Sequence, residues 1–403
     1  LPAVNAAPEL NGPLIHKFTG PTTTTVNNIY IIIYILREKN MKFSIEQKQF
    51  QNALSIALKG ISSKNIMEIL KGIYIEAEDD HITLVSNNLE IGIKTRVEAD
   101  VTENGTAIIE GKILSDIIRK LPDEKITISV NDSNIVKIST KKTKFNIKSM
   151  INTNFPQVEE FEDERYEKID MKLFSDMVRN THFAASQDET KGVLTGELIE
   201  IDAGSISMVA IDGFRLAIKR IPSNLNLEEK KVVVPVKTLQ EVTRLSSNEN
   251  CNFRIMFDER SVSFSVDDTI INSRVLEGKF LNYRQIIPKE FMTRIKINNS
   301  EFISSLERAM LVSNNNLVKL TIAEDNIRIN AKNAEIGDLE EDIPVDQEGR
   351  DLEIAFNIKY FLDCLKNLDE EYVYMNFNTN LSPCIINPET DENYTYLLLP
   401  VRI

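Results

Sequence analysis

The chain has 403 residues, 42% hydrophobic and 27% charged, a balance typical of soluble globular proteins that excludes disordered and collagen-like chains. At about 150 residues per domain, the length predicts two to three domains. Asp and Glu outnumber Lys and Arg by 61 to 47, for a net charge of −14. That excludes a protein coating nucleic acid with its whole surface but allows one basic face on an acidic body.

The residues that carry common enzyme chemistry are sparse. Histidine occurs only at His16, His81 and His182, with no CxxC or HxxxH pairing, so zinc ligation and a histidine-based nucleophilic triad are disfavoured. Neither phosphate-cradling glycine motif, GxxxxGK[ST] or GxGxxG, is present. No catalytic residue, cofactor or metal is expected. Three cysteines, Cys251, Cys364 and Cys384, are too few for a disulfide scaffold and point to a reducing, cytoplasmic setting.

In chain order, residues 1–40 read as a leader, expected to be an upstream or disordered extension. They carry Pro2, Pro8, Pro13, Pro21, a threonine run from Thr22 to Thr25, and an apolar stretch from Ile29 to Leu36. That stretch is far short of the ~20 residues a membrane span needs. Arg37 and Lys39 follow it, whereas a signal peptide places its basic end first. The alternative is an extra strand at Ile29–Leu36, which is apolar and β-branched.

From Met41 onward a threefold repeat emerges. Phe43-Ser-Ile45, Glu167-Lys-Ile169 and Ile295-Lys-Ile297 each lead within five residues to an aromatic: Phe50, Phe174 and Phe302. Helically spaced apolar residues follow at Ala53, Leu54, Ala57 and Leu58; at Met177, Val178 and Thr181; and at Leu306, Ala309 and Met310. This predicts a strand and then an amphipathic helix, three times. A second signature begins at Lys112, Lys237 and Lys359. Each has an apolar residue two positions on (Leu114, Leu239, Phe361) and an acid four on (Asp116, Glu241, Asp363). A base follows seven on (Arg119, Arg244, Lys366), and a leucine closes at Leu121, Leu245 or Leu368.

Alternating runs at Ile126–Val130, Ile135–Ile138, Phe253–Phe257, Val262–Val266 and Tyr372–Phe377, separated by short polar turns, predict antiparallel strands. Each unit therefore reads as two helices with roughly eight strands, an α+β domain with helices on antiparallel sheets. The expected domains are 41–164, 165–291 and 292–403, the boundaries falling in charged segments near Pro156 and Pro288.

Charge is segregated. The three second helices hold seven bases (Lys112, Arg119, Lys120, Lys237, Arg244, Lys359, Lys366) against three acids, in a chain that is acidic elsewhere. Solvated helix faces alone predict no such bias. Helices lining one concave wall attract a nucleic-acid backbone without reading bases, while the acidic exterior repels it. Weak, sequence-blind binding of this kind suits a sliding tether.

These features bring out a resemblance. From Met41 to Ile403 the chain resembles the bacterial DNA polymerase III beta subunit family, the sliding clamps. The carrying segments are Met41-Lys-Phe-Ser-Ile45, Leu194-Thr-Gly196, Ala210-Ile-Asp-Gly-Phe-Arg-Leu-Ala217, Gly278-Lys-Phe-Leu-Asn-Tyr-Arg-Gln-Ile-Ile-Pro288 and the terminal Tyr396-Leu-Leu-Leu-Pro-Val-Arg-Ile403. The resemblance implies the DNA clamp fold and a head-to-tail homodimer closing into a ring of six similar domains around double-stranded DNA. Such a chain is a non-catalytic processivity factor. Its implied partners are the DNA polymerase III catalytic subunit, a clamp loader complex, and other replication and repair proteins bearing a clamp-binding motif, with no membrane.

By the same resemblance, a partner-peptide cleft comprises Leu194, Ile211, Gly213, Phe214, Arg215, Leu216, Leu281 and Ile286 of the second domain. The third contributes Leu381, Pro383, Leu397, Leu398, Leu399, Pro400, Val401 and Arg402. Phe214 stands where histidine is common in the family, and Leu281 where proline is common. Independently, a chain ending Leu-Leu-Leu-Pro-Val has reason to dock in a groove rather than fray; a buried last strand is the compatible alternative. The resemblance pairs Phe145 with Leu311 and Val312 across the dimer contact, although all three also fit ordinary core positions. It adds Lys64 and Lys191 at the inner rim to the DNA-facing set of second-helix cations and Arg179.

Two other classes fit parts of the sequence. A carboxylate-based hydrolase draws on the acidic runs Glu159–Glu164 and Glu335–Asp342. A repeat-built adhesion module leaves the basic helices unexplained.

Overall fold

The computed structural model describes residues 40–61, 67–151, 154–223, 229–245 and 251–402. The expected leader, apart from Asn40, and Lys64 lie outside the described residues.

Each repeat opens as the spacing predicts. The strands Met41–Glu46, Glu167–Lys168 and Thr293–Asn298 run into helices α1 (Gln47–Ala57), α3 (Met171–Thr181) and α5 (Asn299–Val312). The second signature forms α2 (Gly111–Lys120), α4 (Val236–Leu245) and α6 (Ile358–Leu365). Short polar side chains start several of these helices by accepting from backbone N–H groups that have no partner inside the helix. Asp170 accepts from Leu173 N, Asn298 from Glu301 N and Asn357 from Lys359 N. Helix α1 lacks such a cap; instead Gln47 donates from Nε2 to the Ile118 carbonyl at 2.8 Å, which satisfies a carbonyl near the end of α2. Leu58 falls just beyond α1, in a short 3-10 turn.

The two helices of each unit pack on one another and on strands. The buried stripes are Phe50, Ala53, Leu54 and Ala57 on α1; Phe174, Met177 and Val178 on α3; and Phe302, Leu306 and Ala309 on α5. The repeated aromatics meet a second ring in every unit: Phe43 beside Phe50, Phe174 beside Phe253 and Phe302 beside Phe361, with centroids 5.9, 4.9 and 5.5 Å apart. Burying each such ring is worth roughly 1.5–3 kcal/mol.

The three units contain nine, eight and nine strands among the described residues, all paired antiparallel in four sheets. Two sheets cross unit boundaries. In the eight-stranded sheet, Ile91–Glu98 pairs with Thr269–Arg274, placing Ile93 opposite Ile271. In the nine-stranded sheet, Arg215–Pro222 pairs with Tyr394–Leu398, placing Leu216 opposite Leu397. The other two sheets stay within one unit. One edge of the first unit's five-stranded sheet is Lys144–Lys148, and one edge of the third unit's four-stranded sheet is Gly337–Pro344. Continuous backbone hydrogen bonding makes each internal junction part of the fold itself. The chain leaving the first unit is also pinned: Phe155 and Val158 are buried against Val85 and Ile108.

Candidate partner cleft and nucleic-acid face

The register that joins the second and third units also gathers residues of the candidate cleft. Leu198, Val209, Ile211, Leu216, Val233, Tyr283, Ile385 and Leu397 form a buried apolar cluster, with Leu194 packed against it. Ile211, Leu216 and Leu397 are thus a floor rather than exposed contacts. Leu398 faces the other way, into the core of the third unit, as alternation along a strand requires. Beyond the strand, Leu399 N donates to the Phe214 carbonyl at 2.9 Å and Val401 N to the Ala355 carbonyl at 2.8 Å. The terminal segment is therefore tied to both units, while the Leu399 and Val401 side chains remain exposed. Phe214 (54% exposed), Leu281, Ile286 and Leu381 (63% exposed) add apolar surface from segments flanking this junction. Pro383 and Pro400 are half-buried, and Gly213 and Arg402 exposed.

The turn carrying Phe214 is held by charge. Gly213 has φ +99°, a left-handed conformation that glycine adopts without strain. Asp212 Oδ1 accepts from Phe214 N at 2.8 Å and Arg215 N at 3.1 Å. Its Oδ2 accepts from Arg215 Nε at 2.9 Å. Arg215, 7% exposed, also donates from Nη1 to Asp363 of α6 at 2.6 Å. Burial opposes its charge, but Tyr396 and the Asp363 and Asp212 carboxylates more than offset this and hold the guanidinium protonated. The cation lies 4.4 Å from the centroid of the Tyr360 ring, and Phe214 stacks on that same ring at 6.3 Å. Arg215 therefore clips the cleft together from within instead of presenting a free cation to a partner.

The opposite lip hangs on a buried carboxylate. Glu200 accepts from the Tyr283 hydroxyl at 2.7 Å and from Arg284 Nη1 at 2.9 Å, and it pairs with Lys231. Burial raises its pKa, but hydrogen bonds from Arg284, Lys231 and Tyr283 outweigh that and bring it down to about 2. The anchored Tyr283-Arg284 pair leaves Leu281 and Ile286, on either side, facing solvent. Sequence reading missed Glu200, Tyr283 and Tyr360. For Glu200 one signal was available, a carboxylate within the apolar strand Gly196–Asp202.

All seven cations of the second helices are exposed. Arg119 pairs with Asp116 at 2.7 Å, Lys366 with Glu307 at 2.6 Å, Lys237 with Glu189 at 3.4 Å, and Arg244 with Glu241. Exposed pairs of this kind are worth at most about 1 kcal/mol. Two further candidates lie elsewhere. Arg179 is half-buried between Asp176 and Asp369, at 3.2 and 2.6 Å. Lys191 is on the cleft rim, donating to the Asp212 carbonyl at 3.0 Å with its ammonium 5.6 Å from the Phe214 ring centroid.

Phe145 (37% exposed) is on the Lys144–Lys148 edge, and Leu311 (75% exposed) and half-buried Val312 end α5. Phe145 is in the first unit's five-stranded sheet and Leu311 and Val312 are in a helix of the third unit. Helix α5 lies against the other edge, with Arg308 Nε 3.0 Å from Glu341 Oε2.

The acidic runs are engaged in ion pairs. Arg328 grips Asp342 at 2.8 and 3.0 Å, Arg308 holds Glu341, and Arg254 meets Asp163 at 2.8 Å. The hydrogen-bonding arginines lower the Glu341 and Asp342 pKa values, the opposite of what a general acid needs. Among the described residues, no group of three or more His, Cys, Asp or Glu is placed to hold a metal ion, and no helix is long and apolar enough to cross a membrane. The hydrolase alternative is not supported.

Three helix-pair units, fused through shared sheets and ending in open strand edges, define a DNA clamp. The N-terminal, central and C-terminal domains of the DNA polymerase III beta subunit match residues 41–159, 168–282 and 284–402. The beta sliding clamp of Staphylococcus epidermidis is 30% identical over 374 residues, 90% of this chain and 99% of the relative. The sliding clamp structure from Bacillus subtilis superposes with a TM-score of 0.87 at 29% identity, and the Thermotoga maritima beta subunit with 0.84 at 30%. Each comparison covers 90% of this chain and 100% of the other. The chain belongs to the DNA polymerase III beta subunit family. It is a processivity factor, a subunit without catalytic chemistry of its own.

Proposed function

We propose that two copies close head to tail into a ring of six units, 41–164, 165–291 and 292–403 in each, which encircles double-stranded DNA. The observation carrying this reading is the opposite charge of two sheet edges, one in the first unit and one in the third. Lys144 and Lys148 make one edge basic, and Asp338, Glu340, Glu341 and Asp342 make the other acidic. Joining them between copies extends one unit's sheet with another's, as the chain already does at its two internal junctions. A heterologous contact of this kind closes when its rotation permits, and open edges seek pairing. Phe145, Leu311 and Val312 supply apolar contact beside the strands, and opposite charge sets the register.

The exposed cations Lys112, Arg119, Lys120, Lys237, Arg244, Lys359 and Lys366 meet phosphates without reading bases. The groove at the second junction takes short apolar peptide segments, from the polymerase III catalytic subunit, a clamp loader and other replication and repair proteins in turn. Tethering works through effective concentration. A separate ATP-driven loader opens the ring, and the protein works in the cytoplasm. Light scattering at micromolar concentration gives a dimer mass on this reading; a strict monomer overturns it.

A further inference from the structure

The last two strands of each unit form a hairpin, and the three hairpin tips differ in charge. The second unit turns on Asp267 and Asp268, and the third on Glu389, Asp391 and Glu392. The first unit turns instead on Lys141 and Lys142. Between Asp132 and Glu159 the chain holds five lysines and no acid, in a protein of net charge −14. All five, Lys137, Lys141, Lys142, Lys144 and Lys148, are exposed, and none enters an ion pair among the described residues. In the second helices, by contrast, Arg119, Lys237, Arg244 and Lys366 are already paired.

Register gathers these lysines on one face. Lys137 stands opposite Asn146, Ser139 opposite Lys144 and Ile135 opposite Lys148. Val136 and Ile138, which flank Lys137, point the other way, into the core shared with α1 and α2. The lysines therefore cover the outer face of the sheet, away from the helix layer that carries Lys112, Arg119 and Lys120. Thr127 and Ser129 continue that face on the neighbouring strand, opposite Ser139 and Lys137. The acids of this sheet, Glu46, Asp100 and Glu103, stand on its far strands, where Lys125 takes Asp100.

We infer that this outer face binds a nucleic-acid backbone, separately from the helix layer. A cluster of unpaired lysines attracts polyanions. Protein interfaces are depleted in lysine and built on aromatic anchors, whereas phosphates take donors from lysine together with Ser, Thr and Asn side chains. Thr127, Ser129, Ser139 and Asn146 supply that second kind of neighbour. Lys144 and Lys148 are about 14 Å apart along their strand, with Lys137 between them on the next, so flexible ammonium groups follow phosphates without reading bases. Because sheet face and helices lie on opposite sides of the first unit, a segment held here is distinct from one held by α2. Lys144 and Lys148 border the edge assigned to the second copy; Lys137 and Lys142 lie off that strand.

The test is binding of the full chain, without any loader, to covalently closed circular duplex and to circular single-stranded DNA, neither of which a closed ring can thread. Saturable binding to at least one circle is expected at about 50 mM salt, weakening steeply toward 200 mM, and the tighter circle names the source. Lys137→Glu with Lys142→Glu is expected to weaken it at least tenfold and to lower the salt slope by about two, with mass and circular dichroism unchanged. Lys237→Glu with Lys359→Glu reports on the helix layer, so the result does not depend on ring closure, and this pair is expected to leave circle binding unchanged. Absence of binding to both circles at 50 mM salt, or an equal loss in the Lys237→Glu, Lys359→Glu protein, overturns the inference. Tighter binding of a poly-glutamate probe than of either circle assigns the face to an acidic protein and overturns it as well.

Discussion

Arg215 Nη1 lies 2.6 Å from Asp363 Oδ2, joining a strand of the second unit to a helix of the third beneath the ring on which Phe214 stacks. Breaking a buried pair leaves a charge without its partner, which costs more than the pair was worth. Asp363→Ala is expected to lower stability by about 1–3 kcal/mol in urea unfolding and to weaken partner-peptide binding through the displaced Phe214. Arg215→Lys should not restore wild-type behaviour, because an ammonium cannot span both carboxylates as the guanidinium fork does. Full stability in Asp363→Ala would show that the clip contributes nothing.

Two glutamates on one strand are expected to titrate in opposite senses. Glu200, with its pKa lowered from 4.5 to about 2, stabilises the fold above pH 4.5, and that contribution disappears as pH falls toward 2. Glu197 is fully buried, and burial raises its pKa from 4.5 to about 8 despite the Thr181 hydroxyl hydrogen bond. The unfolded chain ionises there first, so Glu197 progressively destabilises the fold as pH rises from 4.5 to 8, by about 1 kcal/mol per pH unit. Glu197→Gln should flatten that slope and raise the urea midpoint at pH 8, whereas Glu200→Gln should lower the midpoint at neutral pH. A Glu197→Gln profile parallel to wild type would contradict the assignment.

Leu311→Asp puts a carboxylate beside the acidic edge without touching the core. Sedimentation should show association of the dimer weakened at least tenfold, with the circular dichroism of the monomer unchanged. Lys144→Glu should act in the same direction and more strongly at low salt, where screening is least. A dimer indifferent to both substitutions would place the contact elsewhere.

Removing Leu399 to Ile403 deletes the terminal segment while leaving the last strand, Tyr394–Leu398, intact. Binding of a polymerase-derived peptide, followed by fluorescence anisotropy, should be abolished with the dimer preserved. Unchanged affinity would reject the cleft.

The repeat was legible because it is local. A period of 3.6 with an aromatic at a fixed offset writes each opening helix into the sequence, and strands such as Phe253–Phe257 and Tyr372–Phe377 were bounded to the residue. What was not legible is long-range. Nothing near Arg215 announces Asp363, and nothing near Glu200 announces Tyr283, so a motif arginine became a buried clip and a strand carboxylate became an anchor. Lys191 illustrates the same limit, since only the folded turn places its ammonium against Phe214. For Phe145, an apolar residue reads alike in a core and on an edge until the sheet order shows which strand is last.

The central claim is topological enclosure of DNA, and retention on circular DNA tests it most directly. Protein placed by a loader on nicked circular duplex should stay bound through high-salt gel filtration and be released when the circle is cut once. Loss from the intact circle in high salt, or equal retention on the linear form, would contradict the account.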